Sequence, residues 1–218
     1  MGAALFVWAA PVSARGLPGT LRRGDPKMVR GRQGPFLFAV ALHLTGMTEI
    51  ITIRRATSAD LAAVDRLLAR SYPRLLAADY PPSVMVLAVP IIARARPELL
   101  ASGRYFLAVD AAGVVVGAGG WSLARPGGPG DAAVDTGHLR HVATDPAVTR
   151  QGVGRKLMRE TVADAARAGV QRLECLSTRT AVPFYAALGF RIVGPVEVPL
   201  QPGIVFPAVR MTAELPLP

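Results

Sequence analysis

From about residue 50 onward, apolar positions recur with one of two periods, and the changes of period predict a succession of strands and helices. The segment EIITIRRAT alternates apolar and polar residues and is rich in β-branched side chains, which predicts a strand. In SADLAAVDRLLARS, Ser58 is a candidate N-cap, and apolar residues recur at helical spacing at Leu61, Val64, Leu67 and Leu68. A strand followed by a helix is therefore the predicted start of the folded part.

The rest of the chain continues this succession. Residues 72–102 are apolar and interrupted by prolines, which predicts one or two helices. RYFLAVD and VVVGAGGWSL, joined by a short turn, predict a β-hairpin, and TGHLRHVATD predicts a strand that ends before Pro146. A helix from Gly152 to Gly169, a strand at VQRLECLS, a short helix at TAVPFYAALG and strands at FRIVGPVEV and GIVFPAVRMTAEL follow. One strand–helix–strand crossover within an antiparallel meander predicts a single-domain α+β (mixed α/β) fold around one central sheet.

Composition changes this picture mainly at the N-terminal end. The 218 residues are 51% hydrophobic and 18% charged, which is enough for one sizeable core. Residues 1–46 hold six basic residues and one acidic residue, so this segment carries half of the formal net charge of +10. The segment is rich in Gly, Pro and Arg and has no helical or strand period, which predicts a disordered or non-native extension. We therefore expect residues 47–218, beginning near Met47, to form the working domain.

Charge and cysteine content argue against several classes of function. Aromatic residues make up 6% of the chain and do not alternate with basic residues, which argues against nucleic-acid binding by the folded part. The lone Cys175 excludes an internal disulfide and a multi-cysteine metal site. The odd spacing of His138 and His141 would place them on opposite faces of a strand, which argues against a His–His metal pair. No apolar run reaches the roughly 18 residues that a membrane-spanning helix needs.

VVVGAGGWSLA imitates a dinucleotide-binding fingerprint, because Gly117, Gly119 and Gly120 follow an apolar strand. The fingerprint requires a further glycine where Ser122 stands, and a helix that opens there. The glycines and prolines of residues 126–130 exclude such a helix. We interpret the stretch as a sheet strand whose glycines allow a close backbone approach or a bulge.

TRQGVGRKLMRE has the context that the first motif lacks, because a strand ends at Asp145 and a helix begins at the glycines. The free N–H groups and the dipole of a helix start bind anions, and Gly152 and Gly154 would let a phosphate approach without a Cβ in the way. A Walker-type loop would require Ser or Thr after a Gly-Lys pair, which argues against a nucleoside-triphosphate hydrolase. Two interpretations of the stretch remain. It binds the diphosphate of another ligand, or it is simply a helix start whose charged side chains are solvated.

Taken in order, these motifs resemble the GNAT-type N-acetyltransferase superfamily. HLRHVATDP, TRQGVGRKLM, RLECLS and PFYAALGF follow that family's order and spacing, and the resemblance covers about residues 50–213. It implies a mostly antiparallel, twisted sheet flanked by helices, in which acetyl-CoA lies between two splayed strands. It also implies a strand end that pairs with the pantetheine arm and a loop that binds the pyrophosphate, formed respectively by Val142, Ala143, Thr144 and by Arg150, Gln151, Gly152, Val153, Gly154, Arg155.

The resemblance further implies that Tyr185, in PFYAALGF, protonates the departing CoA thiolate. A phenol keeps its proton at neutral pH and suits this role, although a purely structural aromatic residue is the alternative. The family's pattern has Gln or Arg where this chain has Thr149, which affects a side-chain contact and not the backbone cradle. The general base is not fixed by the sequence. Glu174 is the candidate, since a desolvated Glu has a raised pKa, and His138, His141 or a water relay are alternatives.

The sequence thus predicts a cytoplasmic N-acetyltransferase that moves an acetyl group from acetyl-CoA to a primary amine by direct attack in a ternary complex. A small-molecule amine is the first choice of acceptor, and residues 72–102 are expected to line its side of the site. A non-catalytic acyl-CoA sensor and a protein-amine acetyltransferase are the alternatives. No metal or membrane partner is expected, and a homodimer is left open.

Overall fold

The computed structural model describes residues 51–124 and 135–217. The extension predicted for residues 1–46 lies outside these ranges, and so does the Pro- and Gly-rich loop at 126–130. Within the described ranges, no helix has both the length and the apolar character needed to cross a bilayer.

Within the described residues, seven strands form one open sheet in the order β1-β2-β3-β4-β5-β7-β6. The described strands pair antiparallel except for β4 and β5, which run parallel because α5 crosses over between them. This confirms the predicted α+β class with a mostly antiparallel sheet. The strands are β1 (Thr52–Arg55), β2 (Tyr105–Val109), β3 (Val115–Ser122), β4 (Thr136–Thr144), β5 (Arg172–Ser177), β6 (Arg191–Gln201) and β7 (Ile204–Glu214).

Prolines determine how the helical segment between β1 and β2 is divided. The first helix continues to Leu76 through Pro73, whose side chain is exposed, and three short helices follow. Each of these three has a proline at its first or second position. The N–H group that proline lacks would have no acceptor within the helix at these positions, so no hydrogen bond is lost. The helices are α1 (Leu61–Leu76), α2 (Pro82–Leu87), α3 (Val89–Ile92), α4 (Pro97–Ala101), α5 (Val153–Arg167) and α6 (Val182–Ala186).

Helices cover both faces of the sheet, and each face has its own core. On one face α1 to α4 pack against the sheet around Leu67, Leu100 and Leu107. On the other face α5 and α6 pack around Trp121 and Leu173. We refer to these as the α1–α4 face and the α5–α6 face. The alternation of side chains along each strand therefore determines which face a polar residue reaches.

The glycines of β3 confirm that VVVGAGGWSLA is a sheet strand. A Cβ added to Gly120 would lie 2.2 Å from the Arg104 carbonyl oxygen, which no side chain can tolerate. A Cβ on Gly119 would lie 2.9 Å from the Val142 side chain on β4. Close backbone approach, and not nucleotide binding, explains these residues.

Candidate active site

The sheet opens between β4 and β5. The two strands pair over only three positions, the last of which joins His138 to Glu174. Beyond this pair β4 continues to Thr144, while β5 continues to Ser177 paired with β7 alone. The predicted splay between two strands is therefore present, and it leaves the far half of β4 without a partner strand on that side.

The unpaired half of β4 begins with a β-bulge. The register against β3 slips by one residue, so that His141 and Val142 together oppose the single Gly119. His141 has a left-handed φ of 46°, which is unusual for a residue other than glycine. The Tyr105 hydroxyl donates a 3.0 Å hydrogen bond to the His141 carbonyl oxygen and so stabilises this geometry from β2.

The bulge removes the regular alternation on which the prediction of opposite faces for the two histidines relied. Leu139 packs into the core of the α5–α6 face, so His138 and Arg140 point to the α1–α4 face. Burial, with contributions from Arg140 and Arg96, lowers the pKa of His141 to about 4. The prediction assumed a regular strand, and the inserted residue removes its alternation.

After the bulge, the three residues predicted to bind pantetheine end the strand. Val142 is half-buried and packs against the core of the α5–α6 face, Ala143 is buried on the α1–α4 face, and Thr144 is half-buried. Ala143 pairs with Ala118 of β3 and Thr144 with Gly117. The three residues are therefore ordered by β3 on one side and face the opening on the other.

Polar contacts fix the loop that joins β4 to α5. Asp145 accepts a 2.9 Å hydrogen bond from the Ala147 N–H and forms an ion pair with Arg70 of α1. The Thr149 hydroxyl donates to the Pro146 carbonyl oxygen at 3.0 Å. The residue that departs from the family's pattern thus has a role inside the loop.

The start of α5 presents free backbone amides. Arg150 and Gly152 both have left-handed φ values, of 64° and 82°, which turn the chain sharply into the helix. The N–H of Lys156 bonds to the Gly152 carbonyl oxygen at 3.0 Å and begins the helical series. The amides of residues 153–155 precede this bond and, as at any helix start, have no acceptor within the helix. This arrangement can bind an anion.

Side chains of the loop contribute unequally to this start. Arg150 and Arg155 are exposed and free to add positive charge. The Gln151 amide instead donates to the Ala147 carbonyl oxygen at 3.2 Å, within the loop. Val153 is buried beneath the helix start and serves as an anchor.

The two glycines of the loop differ in their surroundings. A Cβ on Gly152 would meet nothing within 4 Å, so the residue faces open space. A Cβ on Gly154 would lie 3.2 Å from the Phe184 ring. Gly152 therefore leaves the space before the helix start clear, whereas Gly154 lets α5 approach the helix that carries Tyr185.

Tyr185 is buried in an aromatic cluster on the α5–α6 face. Its ring makes edge contacts with Phe184 and Phe190 at centroid distances of 5.2 and 5.5 Å. Burial raises the pKa of this phenol well above its ordinary value, and Cys175 and Tyr72 add to the shift. The hydroxyl is therefore protonated at neutral pH.

Cys175 lies beside Tyr185 and is not an activated nucleophile. Burial raises the pKa of its thiol to about 12, so the reactive thiolate is absent at neutral pH. No group of three or more potential metal-ligating side chains occurs in the ranges that the structure covers.

Glu174 stands where the paired part of β4 and β5 ends. Its Oε2 atom lies 3.8 Å from Nδ1 of the buried His138. Because Cys175 packs into the core of the α5–α6 face, Glu174 faces the α1–α4 side. The structure therefore brings Glu174 and His138 together but places Tyr185 in the core of the other face of the sheet.

The family comparison bears directly on this opening. The family described as "Acetyltransferase (GNAT) domain" matches residues 84–213, which include both splayed strands, the loop and Tyr185. The chain belongs to the GNAT acetyltransferase family. The resemblance drawn from its motifs is confirmed, and the protein is an acyltransferase by family. No curated protein matches it in sequence.

Solved structures share the GNAT fold at low sequence identity. A GCN5-related N-acetyltransferase from Rhodopseudomonas palustris matches with a TM-score of 0.61 and 20% identity over 75% of this chain and 95% of its own. A phosphinothricin acetyltransferase from Sinorhizobium meliloti, in complex with acetyl-CoA, matches with a TM-score of 0.52 and 21% identity over 78% and 89% of the two chains. The Salmonella typhimurium protein yncA, with its cofactor acetyl-CoA, matches with a TM-score of 0.53 and 21% identity over 76% and 94%.

The GNAT domain also contains polar residues near the opening that sequence reasoning missed. Tyr72 of α1 is half-buried, and burial raises the pKa of its phenol to about 12. It also contributes to the raised pKa of both Tyr105 and Tyr185. Arg140 lies one residue before the bulge. The signal in the sequence was the adjacent pair Arg140–His141 in the interior of a predicted strand.

Proposed function

We propose that this GNAT domain transfers an acetyl group from acetyl-CoA to a primary amine by direct attack in a ternary complex. The observation that carries the proposal is the opening between β4 and β5, which has a helix start with free amides and a buried, protonated phenol on its α5–α6 side. A cytoplasmic location belongs to the same proposal, because acetyl-CoA is an intracellular metabolite.

The donor would bind through backbone groups more than through side chains. The amides of residues 153–155, with Arg150 and Arg155 beside them, suit a pyrophosphate, which needs several donors and positive charge at one place. Val142, Ala143 and Thr144 have no strand partner on the β5 side, so their backbone is available to amide groups of a pantetheine arm. The Salmonella and Sinorhizobium proteins, which share the fold, were determined with acetyl-CoA.

The chemistry requires an electrophile, an acid and a base. A backbone N–H near Val142 would polarise the thioester carbonyl, the amine nitrogen would form a bond to its carbon, and the carbon–sulfur bond would break. Tyr185 would give its proton to the departing thiolate. Glu174, beside His138 at the last paired position, is the proposed base for the ammonium proton, directly or through water. The opening would let the acid and the base act from opposite faces.

A small-molecule acceptor is favoured over a protein because contacts tie the segment after α1 to β7 and to the residues that precede α6. Tyr80 stacks on Phe206 of β7 at 4.9 Å, donates a 3.0 Å hydrogen bond to the Pro207 carbonyl oxygen and accepts one of 2.8 Å from the Arg179 N–H. Asp79 accepts a 2.5 Å bond from the Thr180 hydroxyl. These contacts fix the segment to the residues that precede α6, which favours a narrow entrance to the acceptor side of the site.

Thiol release tests the proposal. The protein is incubated with acetyl-CoA and a panel of small primary amines and a lysine peptide, while free CoA is followed with a thiol reagent and the acetylated amine by mass spectrometry. We expect release of CoA matched by acetylation of small amines. Tyr185→Phe should lower turnover by about 100-fold or more, the usual contribution of a general acid, with CoA affinity kept.

Each other result identifies an alternative. Tight CoA binding without thiol release on any amine would favour the sensor, and release with the peptide alone would favour a protein-amine acetyltransferase. Unchanged turnover of Tyr185→Phe would refute the acid assignment while leaving acetyl transfer in place.

A further inference from the structure

Arg140 has an unusual environment for an arginine. It lies on β4 immediately before the bulge, is partly buried, and faces the α1–α4 side, where the acceptor is proposed to bind. Burial lowers the pKa of its guanidinium, and the neighbouring charge of Arg96 adds to the effect. A cation in such a place is normally compensated by a carboxylate.

The described residues supply no such carboxylate at close range. Nη1 of Arg140 donates to the Ser122 hydroxyl at 3.0 Å and to the Ala124 carbonyl oxygen at 3.4 Å, and both acceptors are neutral. Glu98 acts on Arg140 only from a distance, and its exposed side chain lies 3.8 Å from Arg96. The hydrogen bonds to Ser122 and Ala124 hold the guanidinium in place but leave Nε and Nη2 without partners among the described residues.

The next residue, His141, also has a polar atom without a partner among the described residues. Nδ1 of His141 is buried and has no hydrogen-bond partner in the described part of the chain. Because the pKa of His141 is lowered to about 4, the imidazole is neutral and does not compete with Arg140 for an anion. Two adjacent residues thus keep polar atoms available next to the bulge.

We propose that Arg140 binds a carboxylate of the acceptor, so that the preferred acceptors are amines that carry a carboxylate a few bonds from the amino group. This inference rests on the proposed acetyl transfer. A guanidinium offers two parallel N–H groups to a carboxylate, and Nε and Nη2 form such a pair of donors.

The spacing along β4 fits a short acceptor. Residues of a strand rise by about 3.3 Å each, so the backbone at Val142, where the thioester carbonyl would be polarised, lies about 7 Å from that at Arg140. Hydrogen bonds to Ser122 and Ala124 hold the guanidinium above β3, so an amino acid, whose amine and carboxylate are separated by one carbon atom, or a slightly longer amino carboxylate would have to span the remaining distance to Val142.

Matched acceptors test the inference. Values of kcat/KM are measured for L-phenylalanine, L-phenylalaninamide and phenethylamine, at several pH values so that the fraction of neutral amine can be compared. The wild-type protein should prefer L-phenylalanine over each uncharged analogue by about 10- to 100-fold, as expected for charge-assisted hydrogen bonds. Arg140→Gln should remove most of this preference, and Arg140→Lys, which keeps the charge without the fork, should restore little of it.

Controls separate the inference from the proposed function. Arg159→Gln, on the exposed surface of α5, removes the same charge and should keep the preference. CoA affinity and the melting temperature of each variant show whether it is folded. Equal use of charged and uncharged amines by the wild-type protein, or a preference that survives Arg140→Gln, would overturn the inference while acetyl transfer stands.

If no amine is acetylated, calorimetric titration of L-phenylalanine into the protein–CoA complex tests whether Arg140 binds a carboxylate. Binding that Arg140→Gln abolishes would support the carboxylate site without transfer, and absence of binding would overturn it.

Discussion

At the scale of single residues, the two glycines at the start of α5 differ in what each makes possible. Gly152 is left-handed and faces open space, whereas Gly154 faces Phe184 on α6. The sequence predicted both as positions where a phosphate approaches the backbone. It could not separate them, because contact with Phe184 depends on how α5 and α6 pack, and these helices are separated by β5.

Substitution of the glycines should show this difference. Gly152→Asp places a negative charge where the pyrophosphate is proposed, and like charges about 4 Å apart repel by about 4 kcal/mol at an effective dielectric constant near 20. We expect CoA affinity, measured calorimetrically, to fall by more than about 100-fold. Gly154→Ala should keep most of the affinity but lower turnover, because Phe184 must shift and adjoins Tyr185.

Gly169, at the other end of α5, provides a matched control. It is also left-handed, with a φ of 85°, and a Cβ there meets nothing within 4 Å. Gly169→Asp therefore introduces the same backbone strain and charge far from the proposed anion site. Normal CoA binding by Gly152→Asp, or an equal loss in Gly169→Asp, would contradict a cradle at residue 152.

At the scale of elements, α5 is held to the sheet by a buried carboxylate. Asp164 accepts a 2.9 Å hydrogen bond from the Trp121 indole on β3 and forms a 2.6 Å ion pair with Arg55 on β1. The Arg167 guanidinium lies 3.6 Å away on the next turn. One side chain thus joins the helix to two strands and fixes the direction in which its N-terminus points.

Loss of this carboxylate should destabilise the domain. Asp164→Ala leaves the buried Trp121 N–H without an acceptor, and we expect the free energy of unfolding in urea to fall by about 3 kcal/mol. Asp164→Asn keeps an oxygen for the indole and loses only the charge, so its loss should be smaller. Equal losses in the two variants, or none, would show that the indole bond does not stabilise the fold.

Prediction from the sequence worked best where a pattern is local. The β2–β3 hairpin, the α5 helix with Gly169 after its end, and the crossover to β5 follow from short-range periodicity and turn residues. The bulge at His141 could not be predicted from short-range periodicity. It involves the close contact of Gly119 with Val142 and the Tyr105 hydrogen bond, both of which join different strands. The resemblance supplied the site residues, but it could not show which face each polar side chain reaches.

At the scale of the whole molecule, the candidate site follows from topology. The parallel pair β4–β5 is formed by a crossover through α5, so the helix begins at the edge where the two strands separate. Anion-binding helix starts at such positions are common in sheets with parallel strands. In the proposed mechanism, the donor and the acid lie on the α5–α6 face, and the base and the acceptor lie on the α1–α4 face.

A second point at this scale is whether residues 1–46 contribute to the stability or the activity of the domain. Ile51 and Ile53 pack against the core cluster that contains Ala108 and Val116, so the segment just after Met47 is tied to the sheet. We therefore expect a chain that begins at Met47 to retain kcat/KM within about twofold and its melting temperature within about 3 °C, since 1 kcal/mol shifts a domain of this size by roughly 2–4 °C. Turnover on the same amines and thermal unfolding measure both.

A chain that begins at Ala56 is the matched control for this truncation. It lacks β1, and with it the four register pairs with β2 and the ion pair of Arg55 with Asp164. Its melting temperature should drop by roughly 10 °C or more, because an edge strand and the charge partner of the buried Asp164 are lost together. If the Met47 chain loses as much stability or turnover as the Ala56 chain, residues 1–46 belong to the working domain. If only the Ala56 chain is impaired, the domain begins between Met47 and β1, and the excess positive charge of the first 46 residues has no part in acetyl transfer.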